Sequence, residues 1–222
     1  MEPLEKAAAR KALRKEKIAA REALSPEERA EKSRAICANI LQTPEYAKAK
    51  TVFIYKFVKG EVQLKALEEA NAALAAAERK TFLYPLCIED RQMLAIEPGS
   101  ADMESDAWKK GAFGIPEPVL EMGRVIPPED IDLVVSPCSS FDESGMRLGM
   151  GGGYYDRYLP RCVNARIVMV AFEVQKRPAI PTDPWARPVE QVFTEAAVYR
   201  CAERPAPAQT AQSDAPKNGG MA

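Results

Sequence analysis

The segment that most constrains this chain is Arg147-Leu148-Gly149-Met150-Gly151-Gly152-Gly153-Tyr154-Tyr155-Asp156. Four of its ten residues are glycine, out of 12 in the whole chain. Glycine tolerates positive φ and lets successive backbone N–H groups turn toward one ligand. With an arginine at one end and an aspartate at the other, the run suits a polyphosphate and its metal ion. A solvated surface loop would carry Ser, Asn and Asp in place of the two tyrosines and the arginine. Residues 131–136 (IDLVVS) before it, closed by Pro137, read as a buried parallel strand. Residues 154–159 after it can start a helix that Pro160 limits. Strand, glycine loop and helix together are how open α/β sheets hold phosphate at their carboxyl ends. The spacing is not the dinucleotide fingerprint, and no Walker A sequence is present.

Composition narrows the chemistry. The chain contains no histidine, which removes Ser–His–Asp triads, Cys–His dyads and imidazole metal sites together. Carboxylates, Lys and Arg, tyrosines, backbone dipoles and a hard metal ion remain, and phosphoryl transfer can run on that set. A net charge of −1 is unsuited to coating nucleic acid or an anionic membrane. No apolar run reaches the ~18 residues of a membrane span, and the charged start lacks a signal-peptide core. Cys37, Cys87, Cys138, Cys162 and Cys201 include no C-x-x-C pair, as expected of reduced thiols in a cytoplasmic protein.

Along the chain, residues 4–23 predict a helix with a basic stripe at Lys6, Arg10, Arg14, Lys17 and Arg21, all at helical spacing. Ser25-Pro26-Glu27-Glu28 is a capping box that opens a second helix, with Ala30, Ile36, Cys37, Ile40 and Leu41 as its buried face. Residues 51–57 (TVFIYKF) predict a strand, and 62–80 a helix with Leu64, Leu67 and Leu74 inward. Strands follow at 81–86 and 92–96, loop signals dominate 98–130, and a strand returns at 166–172. The alternation predicts an α/β fold: one domain over residues 1–202, an open, mostly parallel twisted sheet with helices on both faces. Residues 203–222 read as a disordered tail rich in Pro, Ala, Gln, Ser and Gly.

The glycine loop with its surroundings resembles the 5-formyltetrahydrofolate cyclo-ligase family, also called 5,10-methenyltetrahydrofolate synthetase. Val135-Ser136-Pro137 through Phe141-Asp142, Gly145 and Arg147-Leu148-Gly149 is similar to the family's block before the glycines. Residues 151–159 are similar to its glycine loop and following helix. Phe113-Gly114-Ile115-Pro116-Glu117-Pro118, Gly60-Glu61-Val62 and Tyr84-Pro85 also fit, so the likeness spans residues 10 to about 198. It implies conversion of 5-formyltetrahydrofolate to 5,10-methenyltetrahydrofolate, with ATP as co-substrate and Mg²⁺ as cofactor. In that reaction ATP phosphorylates the formyl oxygen, N10 attacks, and phosphate leaves with ADP as the other product.

The resemblance also implies roles by position. Arg10, Lys11, Ala12, Leu13 and Arg14 match the nucleotide-binding stretch, with Arg10 where the family customarily has lysine. Arg147, Leu148, Gly149, Met150, Gly151, Gly152, Gly153, Tyr154 and Tyr155 would wrap the triphosphate. Lys56, Glu61 and Met150 through Tyr154 would meet the folate, with Glu61 accepting N–H bonds from the pterin. Met150 departs from the polar or aromatic residue expected there. Arg14, Arg147 and Tyr154 are the expected catalytic groups, and Lys17 and Arg21 are expected to be solvated. Asp156 is the expected magnesium ligand, joined by Glu190 in the Arg187-Pro188-Val189-Glu190 segment, where the family has aspartate. Trp108 reads as core or pocket wall and Glu117 as structural. The partners expected are these small molecules, with no nucleic acid or membrane, and the chain is expected to be a monomer. The competing readings are a folate- or nucleotide-binding regulator without catalysis, and a different α/β enzyme such as a phosphosugar isomerase or acyl-transferase. Dependence on ATP separates the cyclo-ligase from the latter.

Overall fold

A computed structural model describes residues 3–58, 60–111, 114–182 and 186–201. Phe113 of the upstream motif and the expected tail at 203–222 lie outside the described residues. Helix α1 spans Pro3–Glu22, α2 Pro26–Leu41 and α3 Pro44–Lys48. The capping box at the start of α2 is complete: Glu28 N donates to Ser25 Oγ at 3.1 Å, and Ser25 N donates to the Glu28 carboxylate at 2.7 Å. Strand β1 (Thr51–Phe53), helix α4 (Lys65–Ala72), and strands β2 (Thr81–Ile88) and β3 (Gln92–Glu97) follow. Next come β4 (Trp108–Lys110), β5 (Pro116–Pro118), β6 (Arg124–Ile126), β7 (Leu133–Pro137), β8 (Ser140–Phe141) and β9 (Arg147–Leu148). Helix α5 (Tyr154–Tyr158) and strands β10 (Arg166–Val170), β11 (Gln191–Phe193) and β12 (Val198–Arg200) complete the described chain.

Eight strands form one sheet in the order β12-β11-β10-β7-β1-β2-β3-β6. The pairings from β11 through β10, β7 and β1 to β2 are all parallel, while β12, β3 and β6 are antiparallel additions at the edges. Counted along the chain, the five parallel strands lie in the order 2-1-3-4-5, a doubly wound arrangement. The strands are apolar on both faces because both are covered. Val52, Leu133, Val135, Val168 and Val170 pack with Ile36, Cys37 and Ile40 of α2 and with Leu67 of α4. The alternate residues Phe53, Val134, Ile167 and Met169 pack with Tyr158 of α5, Leu159 and Cys162. This period of two is the strand pleat directing successive side chains to opposite layers.

Three local expectations change. Strand β1 ends at Phe53; beyond it Ile54 N still donates to Leu83 O at 3.0 Å, and Ile54 and Tyr55 are buried without strand geometry. Helix α4 is shorter than 62–80. Arg79 reaches back to the carbonyls of Ala72 at 2.8 Å and Leu74 at 3.0 Å, and the Asn71 amide clasps Lys80 N and O, which closes the helix end. Leu64 and Leu67 are buried as expected, but Leu74 lies beyond this end and is 37% exposed. Residues 98–130 carry β4, β5 and β6 despite their prolines, because these strands lie in a hairpin and at a sheet edge, where a missing N–H is tolerated. Strands β8, β9, β11 and β12 form in addition to those the sequence predicts.

Leu67→Ala should therefore lower unfolding free energy by about 2–5 kcal/mol, whereas Leu74→Ala should change it by less than about 0.5 kcal/mol. Urea midpoints of the two variants measure the difference.

Candidate active site

Strand order reverses between β1 and β7. The helical segment after β1 packs on one face of the sheet and α5, after β7, packs on the other. Such a switch point leaves a crevice outside the carboxyl ends of its two strands. A cavity of about 290 Å³ lies there. Tyr55, Lys56, Val58 and Glu61 line it from the chain after β1, and Pro137 and Cys138 from the end of β7. Pro85, Cys87 and Met93 close the side toward β2 and β3, Glu117 contributes from β5, and the glycine loop forms the remaining wall.

The glycine loop hangs between the small β8–β9 hairpin and α5. Gly151 (φ +105°) and Gly153 (φ +73°) occupy backbone conformations that side chains rarely adopt. Arg14 pins this loop: its Nε donates to Gly149 O at 2.7 Å, and its guanidinium carbon lies 3.5 Å from where a side chain on Gly151 would begin. Burial and the nearby Arg10 lower the Arg14 pKa, and Asp156 partly offsets them. Arg147 pairs with Asp156 at 2.7 Å and sits over the Tyr155 ring, so a cation and a half-exposed carboxylate flank the loop together. Tyr154 and Met150 line the cavity, with Met150 more than half exposed at its lip. Burial pushes the Tyr155 phenol up, which keeps it neutral.

Glu61 is buried beside the cavity. Its carboxylate accepts from Val58 N at 3.1 Å and lies 3.6 Å from the Arg21 guanidinium. Burial raises its pKa more than Arg21 lowers it. Arg21 is only 1% exposed and also donates to Cys138 O at 3.3 Å, which corrects the expectation that it is solvated. Lys17 is held as well, donating to Val174 O at 3.0 Å. The physical reason is the path of α1, which crosses the carboxyl ends of the strands and brings its basic stripe against loop carbonyls. Arg10 follows suit, its Nε donating to Pro181 O at 2.6 Å. Lys56 pairs with Glu68, and its ammonium lies 4.6 Å from the Tyr84 ring centroid and 5.3 Å from that of Trp108.

A family model described as the 5-formyltetrahydrofolate cyclo-ligase family matches residues 6–195. The chain belongs to this family. A 5-formyltetrahydrofolate cyclo-ligase of Haemophilus influenzae is 29% identical over 162 residues, covering 72% of this chain and 83% of that protein. One of Mus musculus is 27% identical over 199 residues, covering 84% and 94%. The NMR structure of an Aquifex aeolicus 5,10-methenyltetrahydrofolate synthetase superposes with a TM-score of 0.73 at 34% identity, over 92% of this chain and 98% of that one.

Within this cyclo-ligase-family fold, the residues expected to act together are only partly united. Arg14, Arg147, Gly149 through Asp156, Lys56 and Glu61 converge on the cavity and its loop. Leu13 and Leu148 pack with Ile180 beneath the loop, while Lys11 and Ala12 are exposed on another side of α1. Glu190 is not brought to Asp156. It precedes β11 at the amino end of the parallel strands, where it pairs with Arg166 at 2.5 Å, and it does not line the cavity. Arg21 was the residue missed. Its place on the basic stripe was the available signal, but a stripe does not say which of its members another segment covers.

Because the folded pKa of Glu61 lies above its ordinary value of 4.5, the folded state holds this proton more tightly than the unfolded chain. Its contribution to stability is therefore full below 4.5 and lost as pH rises through the folded pKa. Glu61→Gln should show a flatter decline of the urea midpoint across that window than the wild type, because an amide has no proton to lose there.

Proposed function

We propose that this protein converts 5-formyltetrahydrofolate to 5,10-methenyltetrahydrofolate, with ATP and magnesium, releasing ADP and phosphate. The observation that carries the reading is the junction of two subsites. A glycine loop held by Arg14 and flanked by Arg147 shares one wall with an apolar cavity that contains a buried carboxylate. Family membership and relatives bearing the cyclo-ligase name support the same reading.

The triphosphate lies along the Arg10–Arg14 stretch and residues 147–155, where Arg14 and Arg147 neutralise its charge. The pterin enters the cavity, and Glu61 accepts N–H bonds from its 2-amino edge, a geometry suited to a carboxylate. Lys56 and residues 150–154 border it, with the Tyr154 ring available for stacking. The formyl oxygen takes the γ-phosphoryl group as ADP leaves, and the N10 lone pair then attacks the activated carbon. The C–O bond to phosphate breaks as the ring closes and the N10 proton passes to the departing phosphate or solvent. Nucleophile and electrophile both belong to the substrate, so the enzyme's task is alignment and charge neutralisation.

Asp156 fits magnesium: it is a hard, half-exposed carboxylate beside the phosphate loop, and magnesium typically takes one or two carboxylates together with phosphate oxygens. When bound there, the ion supplies further neutralisation of phosphate charge. Glu190 has no part in this proposal, because it lies at the opposite end of the strands. The five free cysteines support a reducing, cytoplasmic setting, and we read the protein as a monomer acting on small molecules.

Purified protein mixed with 5-formyltetrahydrofolate, ATP and magnesium should gain the near-ultraviolet absorbance of the conjugated methenyl bridge, and only when ATP is present. A flat trace from folded protein that still binds folate would overturn the catalytic reading in favour of a binder. Asp156→Ala should reduce turnover by about 10²-fold or more. Glu190→Ala should leave it close to wild type, and near-normal turnover of Asp156→Ala would remove Asp156 from the site.

A further inference from the structure

We propose that Arg21 is a positioning residue for the folate subsite, holding the Glu61 carboxylate from inside the protein in the orientation that receives the pterin edge. The inference rests on the cyclo-ligase reading above and adds a residue that contacts neither substrate. Arg21 is buried on the helix that also carries Arg10 and Arg14. Its Nη1 lies 3.6 Å from Glu61 Oε1 and donates to Cys138 O at 3.3 Å. Glu61 Oε2 accepts from Val58 N at 3.1 Å. The carboxylate is thus gripped on one oxygen by α1 and on the other by its own turn, and each oxygen keeps lone-pair capacity for a ligand.

The turn and the helix interlock. Gly60 has φ +81°, and a side chain there would begin 3.0 Å from Glu22 Cγ and 3.4 Å from Arg21 Nε. Through Glu61 and Cys138, Arg21 also bridges the chain after β1 and the end of β7, the two sides of the switch point. This is a costly way to fill space. Arg21 Nε is buried without a hydrogen-bond partner, and a well-packed apolar side chain generally serves stability as well as a buried ion pair does. What the arginine provides and an apolar residue does not is a carboxyl group held in one place at the cavity wall, beside a cation that favours its ionised form.

The other titratable groups facing Glu61 are the phenols of Tyr55 and Tyr155 and the thiol of Cys138. Burial pushes all three up, Cys138 to about 12, so they stay neutral near pH 7. Among the described residues, Arg21 is the charged group that offsets the burial of Glu61.

The test compares full-length wild type, Arg21→Met, Arg21→Lys, Glu61→Gln and the Arg21→Met/Glu61→Gln double variant. Calorimetric titration with 5-formyltetrahydrofolate and, separately, with ATP is combined with steady-state kinetics across pH. Arg21→Met should weaken folate binding and raise the folate KM about tenfold or more, as loss of the outer partner of a metal-ligating side chain weakens metal binding. Its ATP affinity should be unchanged. Without Arg21 the Glu61 carboxyl ionises at higher pH, so the folate KM of Arg21→Met should fall as pH rises, and Glu61→Gln should abolish that dependence. Arg21→Lys should recover part of the affinity, and Arg21→Met should add nothing to Glu61→Gln. Folate and ATP affinities falling together would mean a loosened α1, since Arg10 and Arg14 share the helix, and would overturn the inference. If Arg21→Met does not fold, Arg21→Lys carries the same two-substrate comparison. Wild-type protein unable to bind 5-formyltetrahydrofolate would overturn the cyclo-ligase reading and the inference together. Wild-type binding that the Arg21 variants leave intact would overturn the inference alone.

Discussion

The reversal of strand order between β1 and β7 is the constraint on which the rest of the molecule depends. Connections that leave these two parallel neighbours for opposite faces cannot cover the space beyond their carboxyl ends. The chain after β1, Cys138 after β7 and the glycine loop therefore meet around one cavity. Both faces of the sheet must be apolar for this to hold, and the alternation of Val52 with Phe53, and of Leu133 and Val135 with Val134, meets that demand. Phe53 and Tyr158, with ring centroids 5.3 Å apart, fasten α5 to the sheet and so fix the far end of the loop.

Helix α1 supplies what the sheet cannot. It carries few large apolar residues, and its docking relies on cations that reach backbone carbonyls: Arg10 to Pro181, Arg14 to Gly149, Lys17 to Val174 and Arg21 to Cys138. A helix attached in this way lies across the strand ends instead of on a sheet face. Under the proposed function and inference, it would serve phosphate through Arg10 and Arg14 and the pterin-facing carboxylate through Arg21. The absence of histidine fits this economy, since charge placement does the work that an imidazole does elsewhere.

Much of this was legible in local sequence. The capping box at Ser25, the buried run ending at Pro137 and the glycine loop each carry their signal within a few residues, and each stands where it was expected. The losses have physical causes. The end of α4 is set by Arg79 and Asn71 folding back onto the chain, an event that propensity does not register. The short strands β4, β5 and β6 exist because partners pair with them, in a segment dominated by loop signals and, in β5, against its own two prolines.

The sequence by itself determined the α/β alternation, the glycine loop at its place between strand and helix, and the absence of imidazole chemistry, because residue type and spacing act over a turn or a strand. Only the tertiary structure decided which members of the α1 stripe are buried, and that Glu190 pairs with Arg166 at the amino end of the strands, away from Asp156. Helical spacing tells which residues share a face. What covers that face, and at which end of the sheet a carboxylate lies, is set by segments more than a hundred residues apart in some cases, as with Arg21 and Cys138.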